Sequence, residues 1–122
     1  MAKFIYYNRN PDGEKANDCV TRAISLATQL PYTEIRKKLF YTARLLNCDK
    51  LYICCYRHLL DDVFKFPQIY CEGDTVGEFA DKHPYGRYLV RMENHISTII
   101  DGNVYDIFDC RDMVLSDAWL VE

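Results

Sequence analysis

His95-Ile96-Ser97-Thr98-Ile99-Ile100-Asp101-Gly102-Asn103-Val104-Tyr105-Asp106 places two β-prone runs around an Asp-Gly pair and reads as a β-hairpin. Asp-Gly is the preferred dipeptide for a two-residue type I′ turn, in which both central residues need positive φ. If Asp101 and Gly102 fill the two central positions, Ile100 opposes Asn103, and the numbers of opposed residues sum to 203. Ser97 then faces Asp106. Side chains return to one face every second residue, so His95 shares that face and becomes a diagonal neighbour of Asp106. Diagonal neighbours lie roughly 7–8 Å apart, within reach of a hydrogen bond between imidazole and carboxylate. A three-residue turn would reverse the parity and separate them.

Outward from the hairpin, Arg87–Met92 and a last run near Ala118–Val121 carry the same period of two and extend it into an antiparallel sheet, with the hairpin's second strand expected over Val104–Phe108. Upstream the period changes. Val20, Ala23, Ile24, Ala27 and Leu30 draw one helical face behind the N-cap types Asn17 and Asp18, and Pro31 closes the segment. A second helix starts at Thr33 and runs through Ile35, Leu39, Thr42, Ala43 and Leu46, with Lys37, Lys38 and Arg44 on its wet side. Leu51–Phe66 is read as a further helix, although Leu51–Tyr56 also suits a strand start. Gln68–Cys71 is read as a strand, and Thr75-Val76-Gly77-Glu78 as a capping box for a short helix ending at His83-Pro84. Lys3–Tyr7 is a strand followed by a loop through Asn17. The expectation is an α+β chain, N-terminal helices packed on a C-terminal antiparallel sheet, in a single domain spanning 1–122.

Composition bounds what such a domain does. Its 122 residues leave no room for a separate cofactor module, and no cofactor is expected. With 15 Lys+Arg against 18 Asp+Glu, the net charge of −3 lacks the basic footprint of a nucleic-acid binder. The apolar run Phe4–Tyr7 is too short for a signal peptide, and nowhere do about 18 apolar residues run together, so neither export nor a membrane span is expected. A cytoplasmic location follows as the expectation, with the six cysteines reduced.

Among those six, Cys19 stands apart. It falls in the first turn of the first helix, where unpaired backbone N–H groups and the positive end of the helix dipole stabilise a thiolate. Cys48, Cys54, Cys55, Cys71 and Cys110 are read as small buried hydrophobes or incidental thiols. A nucleophilic cysteine needs a base, and the His95–Asp106 pair supplies one with its orienting carboxylate. Asn17, Asp18 or the Cys19 backbone N–H are the polar groups nearby for an oxyanion.

The order Cys-helix, His-strand, Asp-strand resembles the papain-like cysteine peptidase superfamily, in particular its small members of the bacteriocin-leader-processing and cell-wall-amidase types. Asn17-Asp18-Cys19-Val20-Thr21-Arg22-Ala23-Ile24, Thr75–His83 with Pro84-Tyr85-Gly86-Arg87-Tyr88-Leu89-Val90, and His95 to Asp106 resemble a group of small proteins encoded in bacteriophage genomes. The resemblance implies a papain-like fold with Cys19, His95 and Asp106 at the triad positions, and a cysteine hydrolase working through a thioester on a peptide, isopeptide or amide, in the host cytoplasm if phage-encoded. The glutamine such enzymes carry before the cysteine is absent from Gly13-Glu14-Lys15-Ala16, and the aromatic residue after it is replaced by Val20. Asn17 is the candidate for the oxyanion role.

Two other classes compete. Cys54-Cys55-Tyr56-Arg57-His58 with Cys71, His83 and Cys110 offers soft ligands, but no Cys-x-x-Cys pair exists, and no metal site is expected. A catalytically inactive interaction module would use the 10 tyrosines as contact surface for a host protein. Most of Tyr6, Tyr7, Tyr88 and Tyr105 suit ordinary strand positions. Asp61, Asp62, Asp109 and Asp112 are read as solvated surface charges.

Overall fold

A computed structural model describes residues 2–14, 17–49 and 52–122. The chain is α+β. Strand β1 (Phe4–Tyr6) leads through a loop to helices α1 (Cys19–Thr28), α2 (Tyr32–Leu46) and α3 (Ile53–His58), the last running on into a π-helical turn over Leu59–Val63. Helix α4 (Val76–Lys82) precedes strands β2 (Arg87–Met92), β3 (His95–Ile100), β4 (Asn103–Asp106) and β5 (Asp117–Leu120). Leu51, in the stretch read as helix or strand, lies outside the described residues, as do Lys15 and Ala16.

The hairpin has the predicted register. Ile100 opposes Asn103, Ile99 opposes Val104 and Thr98 opposes Tyr105. Asp101 and Gly102 have φ of 49° and 78°, both in the left-handed region that a type I′ turn demands. A second two-residue turn at Glu93-Asn94 joins β2 to β3, with Met92 opposite His95 and Asn94 at φ 60°.

The sheet order is β1-β4-β3-β2-β5, and the sheet is mixed, not antiparallel throughout. Strand β1 pairs parallel with β4, Phe4 with Val104 and Tyr6 with Asp106. It covers the edge that β4 would otherwise leave unpaired. The second hairpin strand stops at Asp106 rather than Phe108, because the Asp106 carboxylate takes the Ile107 N–H at 2.7 Å and turns the chain out of the ladder. Gln68–Cys71 is not a strand. Only Gln68 bridges to Trp119, while the Ile69 N–H reaches the Ala118 carbonyl, so the segment runs along β5 as irregular chain.

Each face of the sheet is covered. Leu89, Ile96 and Trp119 pack with Val20 and Ile24 of α1, Ile35 and Leu39 of α2 and Leu60 of the π-helical turn. Val90, Ile99, Val104 and Ala118 pack on the other face with Phe79 and Ala80 of α4. The Thr98 hydroxyl donates to the Ala23 carbonyl at 2.8 Å and pins β3 to α1. Helix α4 opens with the expected capping box, Thr75 and Glu78 each bonding the other's backbone N–H. Asp62 is a solvated surface charge as expected, whereas Asp61 is half-buried. Asp61 accepts the indole N–H of fully buried Trp119 at 2.6 Å, and Asp62 pairs with His58 at 2.9 Å. Asp109 likewise pairs with Arg111. No helix among the described residues is long and apolar enough to cross a membrane.

Candidate active site

His95 opens β3 and Asp106 closes β4. Because the two strands run antiparallel, both residues stand at the same end of the sheet. His95 Nε2 lies 2.7 Å from Asp106 Oδ2, and the side chains are 8% and 3% exposed. The Ser97 hydroxyl, predicted to face Asp106, donates to the same oxygen at 2.6 Å. The other oxygen, Oδ1, accepts the Ile107 N–H at 2.7 Å and the Arg22 guanidinium at 3.4 Å. Burial pushes this carboxyl up, but the His95 and Ser97 hydrogen bonds outweigh it and hold Asp106 below the ordinary carboxylate range. For His95, burial alone would lower the ring. Its hydrogen bonds with Asp106, Cys110 and Cys19 raise it instead, to about 11, so the imidazolium is the form present at neutral pH.

Cys19 is the first residue of α1 and half-buried. Asp18, expected to cap that helix, does not use its side chain to do so. Its Oδ1 takes Arg22 Nε at 2.6 Å, and its Oδ2 takes the Tyr32 hydroxyl at 2.7 Å and the Asn10 amide at 3.0 Å. Burial raises the Asp18 carboxyl, yet these donors together hold it below its usual value. Arg22, 7% exposed, therefore bridges two buried carboxylates, one at the start of α1 and the other on the His95 partner. In the sequence Arg22 stands only within the local Asn17–Ile24 pattern. Its i, i+4 spacing from Asp18 was the available signal; its reach to Asp106 spans 84 residues.

A cavity of about 600 Å³ opens beside this group, lined by Asn17, Cys19, Tyr52, Tyr56, Arg91 and His95 among others. That volume lies in the range of small-ligand sites. Cys19 and His95 thus meet one solvent-accessible space, and exposed Asn17 meets it too. The Phe108 ring lies against His95, centroids 4.5 Å apart.

The five remaining thiols divide by environment. Burial pushes Cys55 up to about 12 and raises Cys71, while Cys48 is raised by burial and by hydrogen bonding to Cys54. Cys54 is exposed and lines the cavity. Cys110 is fully buried, as its reading as a packing thiol requires, but it packs on the site, Sγ 3.9 Å from Asp106 Oδ2.

His95, Asp106 and Cys110 have ligand atoms within 4.8 Å of one another, the arrangement among the described residues closest to a metal site. Two ligands about 2 Å from a tetrahedral zinc stand roughly 3.3 Å apart. The 2.7 Å between His95 and Asp106 is shorter and fits a shared proton. The trio is better described as a hydrogen-bonded cluster than as a metal centre.

No family model matches the chain, and comparison with curated proteins and with solved structures gives no match.

Proposed function

We propose that this protein is a cysteine hydrolase of papain-like type, a peptidase or amidase, in which Cys19 is the nucleophile, His95 its acid–base partner and Asp106 the group that orients and charges the ring. The single observation carrying the reading is the buried 2.7 Å His95–Asp106 bond beside a cavity that Cys19, at a helix N-terminus, also lines. With Nε2 committed to Asp106, Nδ1 is the ring nitrogen left to serve the Cys19 sulfur.

The chemistry follows from that arrangement. Because the Asp106 carboxylate holds His95 as the imidazolium, the resting site is a thiolate–imidazolium pair, with the proton of the Cys19 thiol already on the ring. The thiolate attacks the substrate carbonyl carbon, and the oxyanion so formed meets the first-turn N–H groups of α1 and the Asn17 side chain. As the C–N bond breaks, the imidazolium gives its proton to the departing amine, leaving a thioester and neutral His95. Water then attacks the thioester while His95 takes its proton. Carboxylic acid leaves, and the thiolate–imidazolium pair is restored. All six cysteines are free, which suits a reducing compartment such as a cytoplasm, that of a bacterial host if the chain is phage-encoded.

Iodoacetamide at pH 6 tests the reading. An ordinary thiol with pKa about 8.5 is less than about 1% ionised there. Cys19 is expected to alkylate at least about tenfold faster than any other cysteine, and His95→Ala to remove the advantage. Uniform slow labelling would overturn the hydrolase and leave an inactive module that binds a partner protein. Trapping with Cys19→Ala then identifies the substrate.

A further inference from the structure

The cavity beside Cys19 is cationic in a chain whose net charge is −3. Among its described lining residues no Asp or Glu occurs, and the charged side chains are Arg91 and His95. Arg91 lies on β2 directly opposite Asp117 of β5, and its Nε donates to Asp117 Oδ2 at 2.6 Å. That oxygen is already shared. Arg57 donates to it at 2.7 Å, and Arg57 Nε is buried without a partner. Two guanidinium groups therefore converge on one carboxylate, so the Arg57–Asp117–Arg91 trio carries one net positive charge, and Arg91 is its member that lines the cavity. Arg91 donates through Nε to Asp117 and is itself one of the residues lining the open space.

A low-dielectric wall around excess positive charge concentrates anions, and a guanidinium with free N–H groups is matched in shape to a carboxylate. Val20, Tyr52 and Ile53 add apolar or aromatic wall, and Asn17 and Asn94 are uncharged, so no competing acid occurs among the described lining residues. We propose that Arg91 is a specificity-determining residue and that the cleft takes acyl donors bearing a carboxylate within one residue of the scissile carbonyl. This rests on the hydrolase reading. The carboxylate comes from either an acidic side chain or a chain terminus, and both present the same group to Arg91.

Three alkylating probes separate the possibilities: N-iodoacetyl-glutamine amide, which is neutral; N-iodoacetyl-glutamic acid α-amide, with a side-chain carboxylate; and N-iodoacetyl-glutamine, with a free α-carboxylate. Each is reacted with the full chain carrying Cys54→Ser, because Cys54 is exposed in the same cavity, and Cys19 modification is followed by peptide mass spectrometry. At least one acidic probe is expected to react about tenfold faster than the neutral one, the size of one charge-assisted hydrogen bond, and the faster probe identifies the carboxylate's source. Arg91→Gln is expected to bring the ratio of acidic to neutral probe to about one. Asp117→Asn, which frees Arg91 without removing it, is expected to raise the ratio and covers the case in which Arg91→Gln does not fold. Equal rates for all three probes, or a ratio that neither variant changes, overturn the subsite alone when Cys19 still labels selectively. Loss of selective Cys19 labelling with every probe overturns the hydrolase and the subsite with it.

Discussion

Arg22 and Asp106 meet across 84 residues of chain, guanidinium to carboxylate at 3.4 Å, and the same guanidinium holds Asp18 at 2.6 Å. Acid, base, acid and imidazolium thus form one buried row from the start of α1 to the His95 ring. Removing one partner from a buried ion pair leaves an uncompensated charge and typically costs about 3–5 kcal/mol. Arg22→Met is expected to destabilise the chain by roughly that amount in urea unfolding, with Arg22→Lys recovering part of it. A loss under about 1 kcal/mol would show that water, not Arg22, compensates the two carboxylates.

The same row sets the protonation of His95. Asp106→Asn removes the charge that holds the ring near 11, and burial then dominates, so the pKa of His95 is expected to fall by several units toward or below its ordinary 6.5. An NMR titration of the His95 ring protons reads this directly. Ser97→Ala, which removes a donor to the same carboxylate oxygen, is expected to move the pKa less. If Asp106→Asn left the titration in place, Asp106 would not be the source of the shift.

Stability should follow pH in two directions. The folded pKa of His95 is raised, so its contribution is fully present below 6.5 and is lost as pH climbs toward about 11. Asp106 is depressed, so its contribution is present above 3.8 and is lost as pH falls through its lower folded value. The difference in urea midpoint between wild type and His95→Gln is therefore expected to be largest between pH 4 and 6.5 and to shrink steadily on the alkaline side. A difference that is constant to pH 11 would contradict the assignment.

The two glycines that frame the hairpin should differ in what they tolerate. Gly102 has φ 78°, and an added Cβ would meet Pro84 Cα at an ordinary 3.4 Å, so Gly102→Ala carries backbone strain alone, about 1 kcal/mol. Gly86 has φ 98°, and its Cβ would lie 2.6 Å from the Glu122 carbonyl oxygen. Gly86→Ala adds displacement of the Glu122 backbone to the same strain and is expected to be the more destabilising by at least about 1 kcal/mol, checked by paired thermal or urea melts.

The readable features of this sequence were local. The Asp101-Gly102 turn specifies its own register, and that register brings Ser97 and then His95 to Asp106, because the period of a strand leaves no freedom once the turn is set. Cys19 at the head of α1 and the Thr75 capping box are equally local signals. Gln68–Cys71 misled because strand propensity counts only where a partner offers a full ladder, and here β5 is only four residues long. Asp18 misled in the opposite way. It has the right chemistry for a cap, but Arg22, Tyr32 and Asn10 bind its carboxylate instead.

By itself, then, the sequence determined the α+β class, the hairpin with its His95–Asp106 pair and the helix that begins with Cys19. Tertiary structure alone decided that β1 closes the sheet parallel to β4, that Arg22 ties Asp18 to Asp106, that Cys110 packs on the pair, and that Arg57 and Arg91 converge on Asp117 beside the cavity. The division has one physical cause. Turn and helix periodicities fix neighbours within a few residues, whereas contacts between distant segments are selected by how faces pack and how buried charges find partners, and no local pattern encodes that choice.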